Sequence, residues 1–148
     1  MSNRDQAAFA FTHHVRDYCL CLHVQRAARA LARRFDDALR PTGLTQGQFS
    51  LLTSLNRVEP PTIGAVADLL ALDRTTLTAN LKPLARRGLV RVTVDRDDRR
   101  SRRLILTPTG RELLAAAAPI WKRAHAKAER LLKSTSPDIM RSGLRELC

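Results

Sequence analysis

Residues 72–91 read LDRTTLTANLKPLARRGLVR, and the fold turns on this stretch. Leu77, Leu81 and Leu84 fall at i, i+4 and i+7, one narrow apolar stripe of a helix over 74–87. Asp73 can cap its start, and Gly88 can close it as a left-handed residue. Opposite the leucines stand Thr75, Thr78, Ala79, Lys82 and Arg86: small residues, hydroxyls and cations, with no acid. Pro83 removes one helical N–H, which predicts a bent or weakened last turn.

Upstream, Thr62 is placed to cap a short helix carrying Val66, Leu69 and Leu70, separated from 74–87 by a brief turn at Leu72-Asp73. Thr45 caps an earlier helix bearing Phe49, Leu52 and Leu55, which Glu59-Pro60-Pro61 stops. Residues 7–40 read as one long helix with two apolar stripes. Val15, Tyr18, Cys19 and Leu22 form one; Leu20, Val24, Ala27, Leu31, Phe35 and Ala38 form the other. A surface helix needs a single stripe, so two predict burial against its own domain and a second body, a partner subunit.

Downstream, Val90, Val92 and Val94 alternate with polar residues, as do Leu104 and Leu106, which is strand periodicity. Between them the charged run 95–101 forms the tip of a hairpin. Thr107-Pro108 opens another helix, expected to run to about Lys133 with a kink at Pro119. Ser136-Pro137 opens a short last one.

The order is long helix, helix, short helix, cation-faced helix, hairpin, long helix, short helix. Two helices joined by a brief turn make a helix-turn-helix, and a hairpin directly after it is a wing. The expected fold is mainly α with a small β-hairpin wing. A single domain spans 1–148, with a winged-helix lobe over 41–107 and dimerisation helices over 7–40 and 108–148.

Charge points to the kind of partner. The 148 residues hold 26 Lys and Arg against 14 Asp and Glu, a net +12. Residues 74–103 hold ten of the cations and three Asp, or +7 of that +12. A concentrated basic zone attracts a polyanion, and neutralised phosphates release counterions. Aliphatic content is too high for disorder. No apolar run approaches the roughly 20 residues a bilayer crossing needs, and the start MSNRDQAAFAFTHHVRDY lacks a secretory pattern. A cytoplasmic location is expected.

Chemistry finds little purchase. Asp36-Asp37 and Asp97-Asp98 are adjacent pairs, which do not converge on one atom as an acid/base pair must. There is no phosphate-cradling glycine loop, no His-Glu-x-x-His and no nucleophile elbow. Cys19, Cys21 and Cys148 have no zinc spacing. We expect no catalytic residue, no metal and no cofactor.

Two segments carry a family resemblance. Residues 72–91 resemble the recognition helix and first wing strand of the MarR family of transcriptional regulators. Residues 97–110, DDRRSRRLILTPTG, resemble that family's wing signature and the entry to its fifth helix. The resemblance implies a triangular homodimer with interlocked terminal helices. It further implies binding to an inverted-repeat operator on double-stranded DNA, usually repression, and often release by a small effector. By position, Thr75, Thr76, Thr78, Ala79, Asn80 and Lys82 would face the major groove. Arg100 would enter the minor groove, with Asp98 holding the wing by an ion pair. Where many relatives carry arginine this chain has Ala79, and Pro83 is uncommon; both bear on which operator is read.

Arg74, Arg86, Arg99 and Arg102 complete the expected DNA contacts. Thr62, a cap at a helix N-terminus, can also meet phosphate. A small aromatic or phenolic effector would draw on His13, Arg16, His23, Phe49, Trp121 and His125. Cys19 and Cys21 invite a thiol-switched alternative. On a continuous helix, two residues apart, they point about 160° from each other, so a bridge within one chain is not expected. A nonspecific nucleic-acid binder is the other alternative.

Overall fold

A computed structural model describes residues 2–148. In order it contains α1 (Asn3–Tyr18), α2 (Leu20–Leu39), a 3-10 turn (Arg40–Thr42), α3 (Gln46–Leu55), α4 (Ile63–Leu69), α5 (Arg74–Arg86), β1 (Val90–Val94), β2 (Arg102–Leu106), α6 (Pro108–Glu129) and α7 (Pro137–Arg145). The strands pair antiparallel, with Val90 opposite Leu106 and Val94 opposite Arg102.

The expected caps all form. Thr45, Thr62, Asp73, Thr107 and Ser136 each accept a backbone N–H from the first turn of the following helix. Each removes one orphan donor from a helix start. Gly88 adopts φ +70°, the left-handed geometry expected after α5.

The first helix is corrected. It is two helices rather than one, and it begins at Asn3, behind a Ser2–Asp5 capping box. Cys19 leaves helical geometry at φ −69°, ψ 106°. Its N–H still bonds Val15, while its Sγ accepts from Leu22 N at 3.4 Å, so the thiol caps α2. The two stripes therefore belong largely to two segments of different phase. Phe35 and Leu39 of α2 enter the core, whereas Tyr18 and Leu20 flank the break in solvent. The angle of about 160° between the thiols assumes an unbroken helix, and does not apply.

α5 continues through Pro83 to Arg86, and α6 continues through Pro119. α6 ends at Glu129 rather than near Lys133. Arg141 of α7 donates to Glu129 and to Asp138, each at 2.6 Å, tying the last helix to the end of α6.

One core holds the lobe together. Leu39, Leu52, Leu77, Leu84, Leu104 and Ala117 are all fully buried, drawing together α2, α3, α5, the hairpin and α6. The three leucines of α5 face inward as their spacing predicts, which turns the threonine face outward. Among the described residues, no helix is long and apolar enough to cross a membrane. No group of three or more His, Cys, Asp or Glu among them is placed to hold a metal.

Candidate nucleic-acid interface

α5 is entered through a tight turn. Ala71 sits at φ +51°, a region alanine adopts at some cost, and Leu72 N reaches back to the carbonyl of Ala67 at 2.9 Å. Asp73 then starts the helix. One of its carboxylate oxygens accepts from Thr76 N at 2.8 Å and the other from Thr76 Oγ1 at 2.6 Å. These bonds, the side-chain one foremost, hold the Asp73 carboxyl below its ordinary range.

Thr75, Thr76, Thr78, Ala79, Asn80 and Lys82 are all exposed. They are not equally free. The Thr76 hydroxyl is spent on Asp73, and Thr78 Oγ1 donates to the carbonyl of Arg74 at 2.7 Å. Thr78 therefore offers a methyl group and lone pairs outward, while Thr75 and Asn80 keep their donors. Lys82 and Arg86 are exposed and form no ion pair among the described residues. Arg74 lies against α4, where a β-carbon on Gly64 would come within 3.1 Å of its Nη2. Thr62 caps α4 and also pairs with the wing, forming an isolated bridge to Arg103.

The wing differs from its expected construction. Asp98 makes no ion pair among the described residues; its Oδ1 accepts the backbone N–H of Arg100 at 2.9 Å, which shapes the tip. The ion pair belongs to Asp95 and Arg103. Asp95 is buried at 5% exposure, and its Oδ1 also accepts N–H from Asp97 at 2.8 Å and Asp98 at 3.1 Å. Those two backbone bonds, and then Arg103, hold its carboxyl below the usual range. Arg102 folds back, donating to the carbonyls of Arg99 and Ser101 at 3.0 and 3.2 Å. Arg99 and Arg100 are left exposed at the tip.

The acid that anchors the wing is therefore Asp95, not Asp98. Asp95 directly follows β1, and a carboxylate there can accept the N–H groups of the next two or three residues, as Asx turns do. That local rule could have found it. Arg87, a cation at the end of the same helix that reads with Lys82 and Arg86 as a candidate DNA contact, instead donates to the carbonyl of Gly43 at 2.9 Å.

The result is an acid-free cationic helix face beside a projecting arginine tip. A sequence profile of the MarR family matches residues 42–101. The transcriptional regulator MosR of Mycobacterium tuberculosis, solved in complex with DNA, is 37% identical; the match covers 88% of this chain and 93% of that one, with a TM-score of 0.80. This chain belongs to the MarR family.

Two other proteins are similar to this MarR-family chain. HTH-type transcriptional regulator TtmR of Methylorubrum extorquens is 37% identical over 97 residues, 66% of this chain. That match spans about half the length of TtmR, 50%. CouR of Rhodococcus jostii, solved with p-coumaroyl-CoA, is 28% identical with a TM-score of 0.73; the match covers 84% of this chain and 87% of that one. The winged helix of the MarR fold is thus present in the order read from sequence.

The six expected effector residues divide into two groups. Phe49 and His125 stack on Trp121, with ring centroids 6.0 and 4.6 Å away, and Phe35 lies tilted against it at 6.4 Å. His13 packs edge-on against Phe9, and Arg16 forms a two-pronged pair with Asp17, both on exposed α1. His23 bonds the carbonyl of Cys19 at 2.8 Å. An open cleft of about 510 Å³ lies elsewhere, between α2 and α6, lined by Arg34, Ala38, Ile120, Arg123, Ala124 and Lys127 among others.

Proposed function

We propose that this MarR-family chain is a sequence-specific, DNA-binding transcriptional regulator. It acts as a homodimer in the cytoplasm, represses from an inverted-repeat operator, and is released by a small molecule. The observation that carries this reading is the outward face of α5. Thr75, Ala79, Asn80, Lys82 and Arg86 present donors, a small contact surface and positive charge with no acid among them. The wing arginines stand to one side. Such a face suits the major groove, and a projecting arginine suits a narrow, strongly negative minor groove.

Dimerisation is supported by apolar surface on the terminal helices. Phe9, Phe11, Tyr18 and Leu20 near the N-terminus, and Ile139, Leu144 and Leu147 near the C-terminus, are exposed in the single chain. Apolar surface of that extent marks an interaction site. The effector reading draws on the aromatic stack around Trp121 and on the ligand of CouR, an aromatic acyl thioester.

The test is binding to genomic inverted repeats and to random duplex across a salt series. A specific regulator holds its operator at salt where random DNA is released. Equal salt sensitivity on both would make the protein a nonspecific nucleic-acid binder.

A thiol-switched regulator is the second reading, favoured by one observation. Cys21 is exposed and accepts a hydrogen bond from Gln25 Nε2 at 3.2 Å, beside the break at Cys19. Oxidation there would act on the junction of α1 and α2.

A further inference from the structure

Arg103 joins three stretches of chain. Its guanidinium pairs with Asp95 across the base of the wing, and its Nη1 donates to the carbonyl of Pro60 at 2.8 Å. Its backbone lies opposite Thr62 in an isolated antiparallel bridge, and the next residue, Leu104, donates from N to the carbonyl of Pro61 at 2.9 Å. Asp95 in turn holds the N–H groups of Asp97 and Asp98. One side chain therefore ties the loop that shapes the wing tip to the segment that runs directly into α4, the helix packed against α5.

We propose that Arg103 is a positioning residue for DNA binding. It fixes where the tip arginine, Arg100, stands relative to the reading face of α5. By doing so it sets the preference for a narrow minor groove beside the major-groove contacts. The proposal rests on the DNA-binding function proposed for the chain.

A planar guanidinium suits this task because its donors diverge in a fixed fork and can serve two acceptors in different directions. A lysine ammonium keeps the charge but not the fork. Two of Arg103's nitrogens are engaged, Nε by Asp95 and Nη1 by Pro60, whereas Arg100, Lys82 and Arg86 stand in solvent without an acidic partner among the described residues.

The test uses the full chain and an operator selected from a random duplex pool by the wild type. Two versions of that operator are made, one with an A-tract under the wing and one with a G·C-rich flank. Affinities are measured across salt for wild type, Arg103→Lys, Asp95→Asn and the double variant. Wild type should favour the A-tract. Each single variant should lose about tenfold on the A-tract flank, the size of one lost base-step contact, and discriminate little between flanks. Arg103→Lys should keep the wild-type salt slope, because the charge is retained. The double variant should be no worse than the weaker single one, since both remove the same link.

Losses that multiply in the double variant, or Arg103→Lys with undiminished flank preference, would overturn the proposal. If Asp95→Asn fails to fold, Arg103→Lys decides alone: lost flank preference with retained binding to the G·C-flanked operator supports the role, and retained preference refutes it. A wild type that prefers no duplex over random DNA would instead sink the DNA-binding function on which the proposal rests.

Discussion

A β-carbon on Gly110 would stand 2.3 Å from the carbonyl oxygen of Leu89 and 2.7 Å from Leu106 Cδ1. The first turn of α6 is seated directly on the start of the hairpin. Thr107 completes the seat, its Oγ1 donating to the carbonyl of Gly88 at 2.7 Å. Gly110→Ala must push backbone away from backbone, and overpacking of this kind costs about 1–3 kcal/mol. Urea unfolding should give the variant the lower midpoint; an unchanged midpoint would mean the helix can slide off its seat freely.

Arg100 is exposed at the wing tip, away from the core. Arg100→Ala should weaken operator binding by about 1–3 kcal/mol if it reads the groove, with the oligomeric state unaltered by light scattering. Undiminished affinity would remove it from the interface.

Lys82 stands on the outward face of α5 without an ion-pair partner among the described residues. Lys82→Ala should reduce the slope of log affinity against log salt by about one if it meets a phosphate. A slope equal to wild type excludes that contact.

Acid should loosen the wing. The folded-state pKa of Asp95 is lowered from 3.8 by the N–H groups of Asp97 and Asp98 and by Arg103. A lowered folded pKa means the carboxylate's stabilisation is fully present above the unfolded value, and is lost as pH falls through the folded one. The protection factors of the amides at 97 and 98, taken against the intrinsic exchange rate at each pH, should therefore be high at neutral pH and fall as pH drops below about 3.8. Asp95→Ala, which has no side-chain acceptor, should show low protection at every pH, and equal protection in the two proteins would contradict the assignment.

Ile139 is 68% exposed on α7, a helix with no buried residue in the single chain. Ile139→Glu should shift the protein from dimer to monomer in sedimentation while leaving its helical signal intact. A variant that remains dimeric would place the interface elsewhere.

Local rules make much of this molecule legible. The caps at Thr45, Thr62, Asp73, Thr107 and Ser136 depend only on a side chain and the three residues after it. The strands follow from alternating valines, and α5 from three leucines. The break at Cys19 is not legible, because neither glycine nor proline marks it and apolar residues continue on both sides. The wing's anchor escapes sequence reading for a different reason. Asp95 and Arg103 are eight residues apart, and Pro60 lies 43 from Arg103. Only the hairpin register and the strand-like run at 60–62 bring them together. The cluster of Phe35, Phe49 and Trp121 joins three separate helices in the same way, so sequence could nominate two of its members but not the third.

The bond from Arg87 to the carbonyl of Gly43 spans 44 positions in the chain. A second tie runs alongside it, from Gln46 N to Asp36 Oδ1 at 2.6 Å. Together they couple the tail of α5, and the head of α3, to the end of α2. α5 is thus tied at its C-terminal end to the turn that follows α2, as well as carried by its own loops. A push on α2 therefore has a hydrogen-bonded route toward the exposed threonine face of α5 that does not run through loop backbone alone.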